Sequence, residues 1–329
     1  MARASITIAP MLSEFDLIKH YFQRQRPGRA VLGIGDDCAL LAPTPGMQLA
    51  ISSDMLVEGR HFFAGADAHK LGHKSLAVNL SDLAAMGARP LGFTLALALP
   101  EARRDWLAGF SAGLFALADE HDCELIGGDT TKGPLTICIT VLGELAPGQA
   151  LRRDGARVGD DIWISGTLGD ARLALACFWH QHSLPGAQLE LAAARMHTPT
   201  PRVALGRALA SQGLAHAAID ISDGLVGDLG HILAASRVGA TINTDLLPAG
   251  PVLALQDTAL RRRFCAAGGD DYELCFTAAP AQRAAILQAA GATPVTRVGN
   301  IEAAPGLRLA AADGSLLDLQ LAGFDHFAS

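Results

Sequence analysis

The sequence predicts an α/β (α+β) protein of two domains. The first observation is length, since 329 residues is about twice the size of a common domain. The second is alternation, because short apolar, β-branched runs take turns with stretches of helical periodicity along most of the chain. The third is composition. Half the residues are hydrophobic and only 5% aromatic, so the cores must be sizeable and aliphatic.

Taken in order, a helix is predicted from Glu14 to about Arg24, with Ser13 as its cap and Phe15, Ile18 and Phe22 on one face. Val31 to Ile34 reads as a short strand entering a Gly-Asp-Asp turn, and Leu49 to Ser52 as a second strand ending in Ser53-Asp54. From Ala68 to about Gly87 the pattern is helical, with Leu76, Leu80 and Leu83 on an apolar face and Gly87 as C-cap. Asn79 and Asp82 are three apart there and so share a side. A buried strand follows at Phe93 to Leu99, a helix from Pro100-Glu101 to about Asp119, a strand at Glu124 to Ile126 and another at Leu135 to Leu142.

Residues 147–161 are turn-rich, and the domain boundary is placed there: 1–148 form one domain and 149–329 the other. Ile162 to Ser165 opens the second half as a strand. Helices are expected near Ala171 to His180, Pro201 to Gln212 and Leu225 to Arg237. Strands are expected at Ala218 to Ile221, near Thr241 to Asn243 and at Glu273 to Phe276.

A net charge of −7 argues against nucleic acid as a partner, because its binders carry a basic face. The six cysteines include no C-x-x-C pair and read as free, packed thiols in a reducing compartment, Cys38 among them. The N-terminus has no apolar leader and no apolar run reaches membrane-span length. A soluble, cytoplasmic protein without a membrane partner is expected.

The acidic residues recur in short Gly- and Ser-bearing cassettes: Gly33-Ile34-Gly35-Asp36-Asp37, Ser52-Ser53-Asp54, Asn79-Leu80-Ser81-Asp82, Gly127-Gly128-Asp129-Thr130-Thr131, Asp220-Ile221-Ser222-Asp223-Gly224 and Gly268-Gly269-Asp270-Asp271. Hard oxygen ligands of this kind suit Mg²⁺ beside phosphate. No Walker loop is present, so phosphates would be held mainly by metal and backbone. Each cassette also has a plainer reading. Ser52-Ser53-Asp54 suits a helix cap as well as a strand-end ligand site, and Asp220 to Gly224 suits a capped turn as well as a cation site. Asp82, on an apolar helix face, requires a partner or a metal. Gly127-Gly128-Asp129 has the small residues of a phosphate-cradling turn. Gly159-Asp160-Asp161 repeats the pattern in a polar turn and reads as structural and solvated. Most histidines read as surface or packing residues, since no zinc-protease spacing exists; His61, in Glu58-Gly59-Arg60-His61-Phe62, is placed for a polar contact to a substrate.

The spans 33–40, 53–62, 79–89, 127–131, 218–225 and 268–274, and the ending Gly323-Phe324-Asp325-His326-Phe327, resemble in order the motif series of the thiamine-monophosphate kinase family. That family belongs to the aminoimidazole ribonucleotide synthetase-like superfamily. The run Asn79 to Ala88 and the run Gly268 to Leu274 favour the thiamine enzymes within it.

The resemblance implies a two-domain fold whose N-terminal sheet pairs across a homodimer and whose C-terminal domain closes over the site. It implies ATP-dependent phosphorylation of thiamine monophosphate to thiamine diphosphate, the final step of that cofactor's biosynthesis. The transfer is direct and in-line, assisted by several Mg²⁺, with no covalent nucleophile. Carried over by position, Asp37, Ser52, Ser53, Asp54, Asp82, Asp129, Asp220 and Asp223 would hold metal. Gly128, Asp129, Arg153 and Ser222 would contact ATP, and His61, Asp270 and Phe324 the thiamine phosphate. The family usually has Glu at the position of Asp270, and Tyr or Trp at that of Phe324. A selenide-activating relative would want a reactive cysteine before the Gly-Asp-Asp motif, and none precedes Cys38. A non-catalytic nucleotide or cation sensor could shed the acceptor-side ligands, whereas acidic cassettes stand in both halves.

Overall fold

A computed structural model describes residues 13–24, 28–319, 321 and 323. Phe324 and the rest of the C-terminal motif after Gly323 lie outside the described residues. Ser13 caps α1 (Glu14–Leu17) by accepting the Asp16 N–H at 3.2 Å. The helix then widens into a π-turn over Ile18–Phe22. That wider turn rotates the buried face onto Leu17 and Phe22 and leaves Phe15 exposed, unlike the face expected from regular periodicity. β1 (Ala30–Leu32) and β2 (Leu40–Leu41) pair antiparallel on either side of the Gly-Asp-Asp bend. Cys38 is exposed beside that bend, which corrects the expectation that it packs inside.

β3 (Gln48–Val57), α2 (Ala68–Met86), β4 (Arg89–Leu99), α3 (Arg104–Glu120), β5 (Glu124–Lys132) and β6 (Thr136–Leu145) complete the first half. The strands form a sheet in the order β3-β6-β4-β5, antiparallel except for the β4–β5 pair. Two expectations are corrected here. Ser52-Ser53-Asp54 lies in mid-strand, because β3 continues pairing with β6 as far as Val57 opposite Thr136. Gly127-Gly128-Asp129 is also strand and not a turn. Gly128 sits at φ 150°, and a Cβ there would stand 1.9 Å from the Leu95 carbonyl oxygen, so the glycine permits close approach of β5 to β4.

The second half comprises β7 (Asp161–Ser165), α4 (Asp170–Phe178), α5 (Gly186–His197), α6 (Val203–Ser211), β8 (Ala217–Asp220), α7 (Leu225–Ser236) and β9 (Gly239–Asn243). After these come α8 (Thr258–Ala267), β10 (Leu274–Ala278), α9 (Arg283–Ala290), β11 (Val295–Glu302) and β12 (Gly306–Ala310). Its sheet runs β12-β9-β11-β7-β10-β8, and only β12 and β9 are parallel. The alternation of strands and helices therefore builds mainly antiparallel neighbours here. Sequence reading missed α5, α8, α9, β11 and β12. α8 shows why: three consecutive arginines, 261–263, blur its apolar face, although Asp257 caps it by accepting the Leu260 N–H at 2.9 Å.

One core joins α2, α3 and the four-stranded sheet to α6, α9 and one face of the six-stranded sheet, where Trp163 and Phe276 stack 6.2 Å apart. A second core fills the other face with Leu173, Leu225, Leu229 and Phe264. α2 is buried along most of its length, with Lys74, Ser75, Asn79 and Ser81 buried among its apolar residues. It ends at Gly87, left-handed at φ 74°. α6 crosses it closely through Gly206, where a Cβ would meet the Ala84 carbonyl oxygen at 1.9 Å. The outer face of β3 is different: Leu49, Ile51 and Met55 are 46%, 63% and 55% exposed.

Asp160 and Asp161 prove structural as expected, but they are buried, not solvated. Asp160 accepts the Arg157 N–H at 2.9 Å and meets His216 Nδ1 at 2.9 Å. Asp161 accepts from Arg283 at 2.6 and 2.8 Å, with Arg297 and Asn300 completing its shell. Among the described residues no helix is long and apolar enough to cross a membrane.

Candidate active site

The site begins where β3 faces α2. Strand alternation turns Ser52 and Asp54 toward the helix. Ser52 Oγ donates to Asp82 Oδ2, and the Asp54 N–H donates to Asn79 Oδ1 at 3.1 Å. Asn79 is itself held by its Nδ2 donating to Ser75 O at 3.0 Å. Ser53 takes the opposite face, where its Oγ donates to Ile139 O at 3.2 Å and meets Thr140 Oγ1 at 3.0 Å. It does not join Ser52 and Asp54.

The second half supplies the facing carboxylates. β8 ends at Asp220, buried against α2, where Ser81 Oγ donates to its Oδ2 at 2.8 Å. The Ser222 and Asp223 N–H groups both donate to Asp228 Oδ2, at 3.1 and 3.2 Å, so the first turn of α7 shapes the preceding loop. Asp228 was missed from sequence. Its signal was available, since it sits among Leu225, Leu229 and Ile232 on an apolar helix.

These groups act on one another electrostatically. Burial first, then Asp82 and Asp223, push Asp54 up to about 6. Burial and then Asp82 push Asp220 up to about 7, against the relief of the Ser81 hydrogen bond; Asp228 and Asp54 add to the rise. Asp228 is raised to about 7 by burial and then by Asp223. Burial also raises Asp82, opposed by Ser52 and by the field of Arg153. The result is a carboxylate cluster in which burial outweighs every compensating contact. Crowded carboxylates of this kind suit a hard divalent cation, which would return their pKa values toward normal. Among the described residues no three or more His, Cys, Asp or Glu side chains are grouped so that they could hold a metal ion.

Other expected site residues lie elsewhere. Asp36 and Asp37 are exposed in their bend, with the Asp37 N–H on Asp36 Oδ1 at 2.9 Å. Asp129 is exposed on β5, at the far edge of the sheet from β3. Cross-strand register runs from Asp54 to Ile139, Leu95 and Gly128. Three strand spacings separate Asp54 from Gly128, roughly 14 Å. Asp129 pairs with Ala96, an exposed residue, whereas Leu95 and Ile139 beside Asp54's row are buried. Asp54 and Asp129 of one chain therefore do not share an ion. Arg153 is exposed near Asp82, and its carbonyl oxygen accepts Ser236 Oγ at 2.8 Å.

Asp270 adjoins the cluster through its backbone. Its N–H donates to Ser222 O at 2.9 Å, and the Tyr272 N–H donates to Ile221 O at 2.8 Å. Asp270 and Tyr272 both take left-handed φ, 68° and 50°. Their neighbours hold that conformation in place. Buried Asp271 accepts the Gly169 N–H at 2.9 Å; buried Glu273 accepts from Ser165, Arg195 and Arg202 at 2.5 to 2.8 Å. The Tyr272 phenol is raised well above its ordinary value by burial, then by the fields of Asp270, Asp54, Asp220 and Asp223. Lys74 of α2 donates to Asp270 Oδ1 at 2.9 Å. Neither Lys74 nor Tyr272 was singled out from sequence. His61, just past β3, accepts the Val57 N–H on Nδ1 at 3.0 Å, which fixes its ring. A Cβ on Gly323 would come within 3.4 Å of Asp223 O, so the residue before Phe324 borders the same loop.

Residues 35–145 match the model for the N-terminal domain of AIR synthase related proteins, and residues 157–311 match that for the C-terminal domain. Thiamine-monophosphate kinase of Salmonella typhimurium is 45% identical over 96% of this chain and 98% of its own. The chain belongs to the thiamine-monophosphate kinase family. A crystal structure of the thiamine-monophosphate kinase from Stenotrophomonas maltophilia K279a superposes with a TM-score of 0.81 at 50% identity, covering 88% of this chain and 92% of that one. AaThiL complexed with AMPPCP and TMP superposes with a TM-score of 0.75 at 28% identity, covering 87% and 89%. Family membership, nearly full length on both sides, sets the acid cluster in a kinase that handles two phosphorylated substrates.

Proposed function

We propose that the protein transfers the γ-phosphoryl group of ATP to the phosphate of thiamine monophosphate, giving ADP and thiamine diphosphate. The observation that carries this is the acid cluster of half-buried Asp54, Asp82 and Asp223 with buried Asp220, built from both halves of the chain, in which no lysine or arginine among the described residues is hydrogen-bonded to Asp54, Asp82 or Asp220. The relative complexed with AMPPCP and TMP supports the choice of substrates. The acceptor is a phosphate monoester, already anionic at neutral pH, so no strong general base is required. The difficulty lies in bringing two polyanions together. Mg²⁺ held by the Asp54, Asp82, Asp220 and Asp223 oxygens would supply the charge neutralisation that this needs. The chain's own part is positioning. Asn79 and Ser81 hold the backbone of Asp54 and the carboxylate of Asp220, Ser52 orients Asp82, and Asp228 shapes the Ser222–Asp223 loop. Arg153 and Ser222 border the ATP side, while Asp270, His61 and Phe324 serve the thiamine side.

The same reading assigns residues 1–148 to ATP and Mg²⁺ binding and dimerisation, and 149–329 to closing the site. The apolar outer face of β3 and the separation of Asp129 from Asp54 favour a homodimer, in which Gly128, Asp129 and Asp37 of one copy complete the cluster of the other. Ile51→Glu should then halve the sedimenting mass at micromolar protein; an unchanged mass would set the dimer aside. The decisive assay for function is coupled ADP release with Mg²⁺-ATP. Release that rises only on adding thiamine monophosphate, with thiamine diphosphate formed in equal amount, supports the reading. Release independent of it, or none, overturns the reading.

A further inference from the structure

Lysine is almost never buried without a reason, because removing an ammonium from water is expensive unless a partner repays it. Lys74 is 4% exposed, in the middle of α2. Its Nζ donates to Asp270 Oδ1 at 2.9 Å. The two residues are far apart in sequence and come from different halves of the chain. The backbone around Asp270 is tied down: its N–H donates to Ser222 O, the Tyr272 N–H donates to Ile221 O, and the Asp271 carboxylate accepts the Gly169 N–H. Its side chain is the part that still has rotational choice, at 29% exposure. One carboxylate oxygen is taken by the buried ammonium, while the side chain as a whole stays part-exposed. Lys74 also lies about two turns before Ser81 and Asp82, on roughly the same side of α2. Seven to eight residues at 1.5 Å each put it roughly 11 Å along α2 from the acid cluster. That distance separates a reacting phosphate from the far end of a small organic substrate.

We infer that Lys74 is a positioning residue for substrate recognition: its buried ammonium fixes the Asp270 carboxylate so that the remaining oxygen meets the organic end of the phosphorylated acceptor. Lys74 makes no contact with the reacting phosphates. The pair is also close to neutral overall, so it offers a directed hydrogen-bond acceptor more than a net negative charge. This rests on the proposed thiamine-monophosphate kinase reading and adds to it a residue on α2 that sequence did not offer.

The test compares Lys74→Met, Asp270→Asn and the double variant with the parent enzyme, measuring KM for thiamine monophosphate, KM for ATP, kcat and melting temperature. The inference expects Lys74→Met and Asp270→Asn each to raise KM for thiamine monophosphate about tenfold or more, the worth of a hydrogen bond to a charged group. KM for ATP should stay within about twofold, as should kcat at saturating acceptor. The double variant should be no worse than the weaker single variant, because both remove the same contact. A merely structural lysine would lower the melting temperature and leave the ratio of the two KM values unchanged, and that result overturns the inference. Multiplying effects in the double variant would overturn it too. If Lys74→Met does not accumulate as folded protein, Lys74→Gln, which keeps a donor and much of the length, is judged by the same KM ratio. Thiamine-monophosphate-dependent ADP release by the parent enzyme separates failure of this inference from failure of the reading beneath it.

Discussion

Replacing Asp54 by Asn should stabilise the protein while disabling it. Asp54 is pushed to about 6 from an ordinary 3.8, first by burial and then by Asp82 and Asp223. A carboxylate raised in this way favours the folded state fully below its unfolded pKa and loses that contribution as pH rises through the folded value. The rise is about two units, so the ionised side chain costs about 3 kcal/mol once the pH passes about 7. Asparagine keeps the shape and never ionises. For a 329-residue chain the unfolding entropy is about 0.7 kcal/mol per degree, so about 3 kcal/mol is about 4 °C. In EDTA, Asp54→Asn should melt at the parent temperature near pH 4 and about 4 °C higher at pH 8. Saturating Mg²⁺ should close or reverse the gap, because only the parent gains full binding energy from the cation, about 2.7 kcal/mol at a hundred times Kd. Turnover should fall about a hundredfold or more, the scale of losing a main electrostatic stabiliser. Differential scanning fluorimetry across pH, with and without Mg²⁺, and the ADP-release assay read both sides. A variant less stable than the parent at pH 8 in EDTA would refute the reasoning, since it would mean that the Asp54 charge is compensated in the fold.

Asp82→Asn, Asp37→Asn and Asp129→Asn should each lower kcat about a hundredfold or more with melting temperature retained; near-normal turnover of all three at saturating Mg²⁺ would remove the metal assignment. Asp161→Asn should behave oppositely. Arg283 first, with Arg297, holds the Asp161 carboxyl below its usual range, so its loss should cost about 2 kcal/mol, or about 3 °C, at pH 7 and less as the pH falls toward 3, with both KM values within about twofold. Gly128→Ala should be severely destabilised, because φ 150° is strained for alanine and the new Cβ has no room beside Leu95 O. Wild-type solubility and melting temperature in that variant would contradict the close β4–β5 approach.

Sequence alone determined the α/β class, the helix of α2 with its Gly87 cap, and the pairing of Asn79 and Asp82 on one side of it. These rest on local rules: helical periodicity, a left-handed cap, and side chains three apart. Sequence also singled out Asp82, because a carboxylate on an apolar helix face needs a partner, while Asp54, Asp220 and Asp223 were assigned to metal by position through the family resemblance. Local rules could not find where β3 and β5 end, since Ser52-Ser53-Asp54 and Gly127-Gly128-Asp129 carry turn-like residues while strand pairing with β6 and β4 holds them extended. Nor could they show that Asp161 is buried: they read it as structural but solvated. Asp161 is met by arginines from α9 and β11, and Asp54 is met by other acids, and that difference arises between segments far apart in the chain. Lys74 was silent for the same reason. A lysine on a helix signals nothing by itself; only tertiary packing buries it and brings Asp270, 196 positions away, to its ammonium.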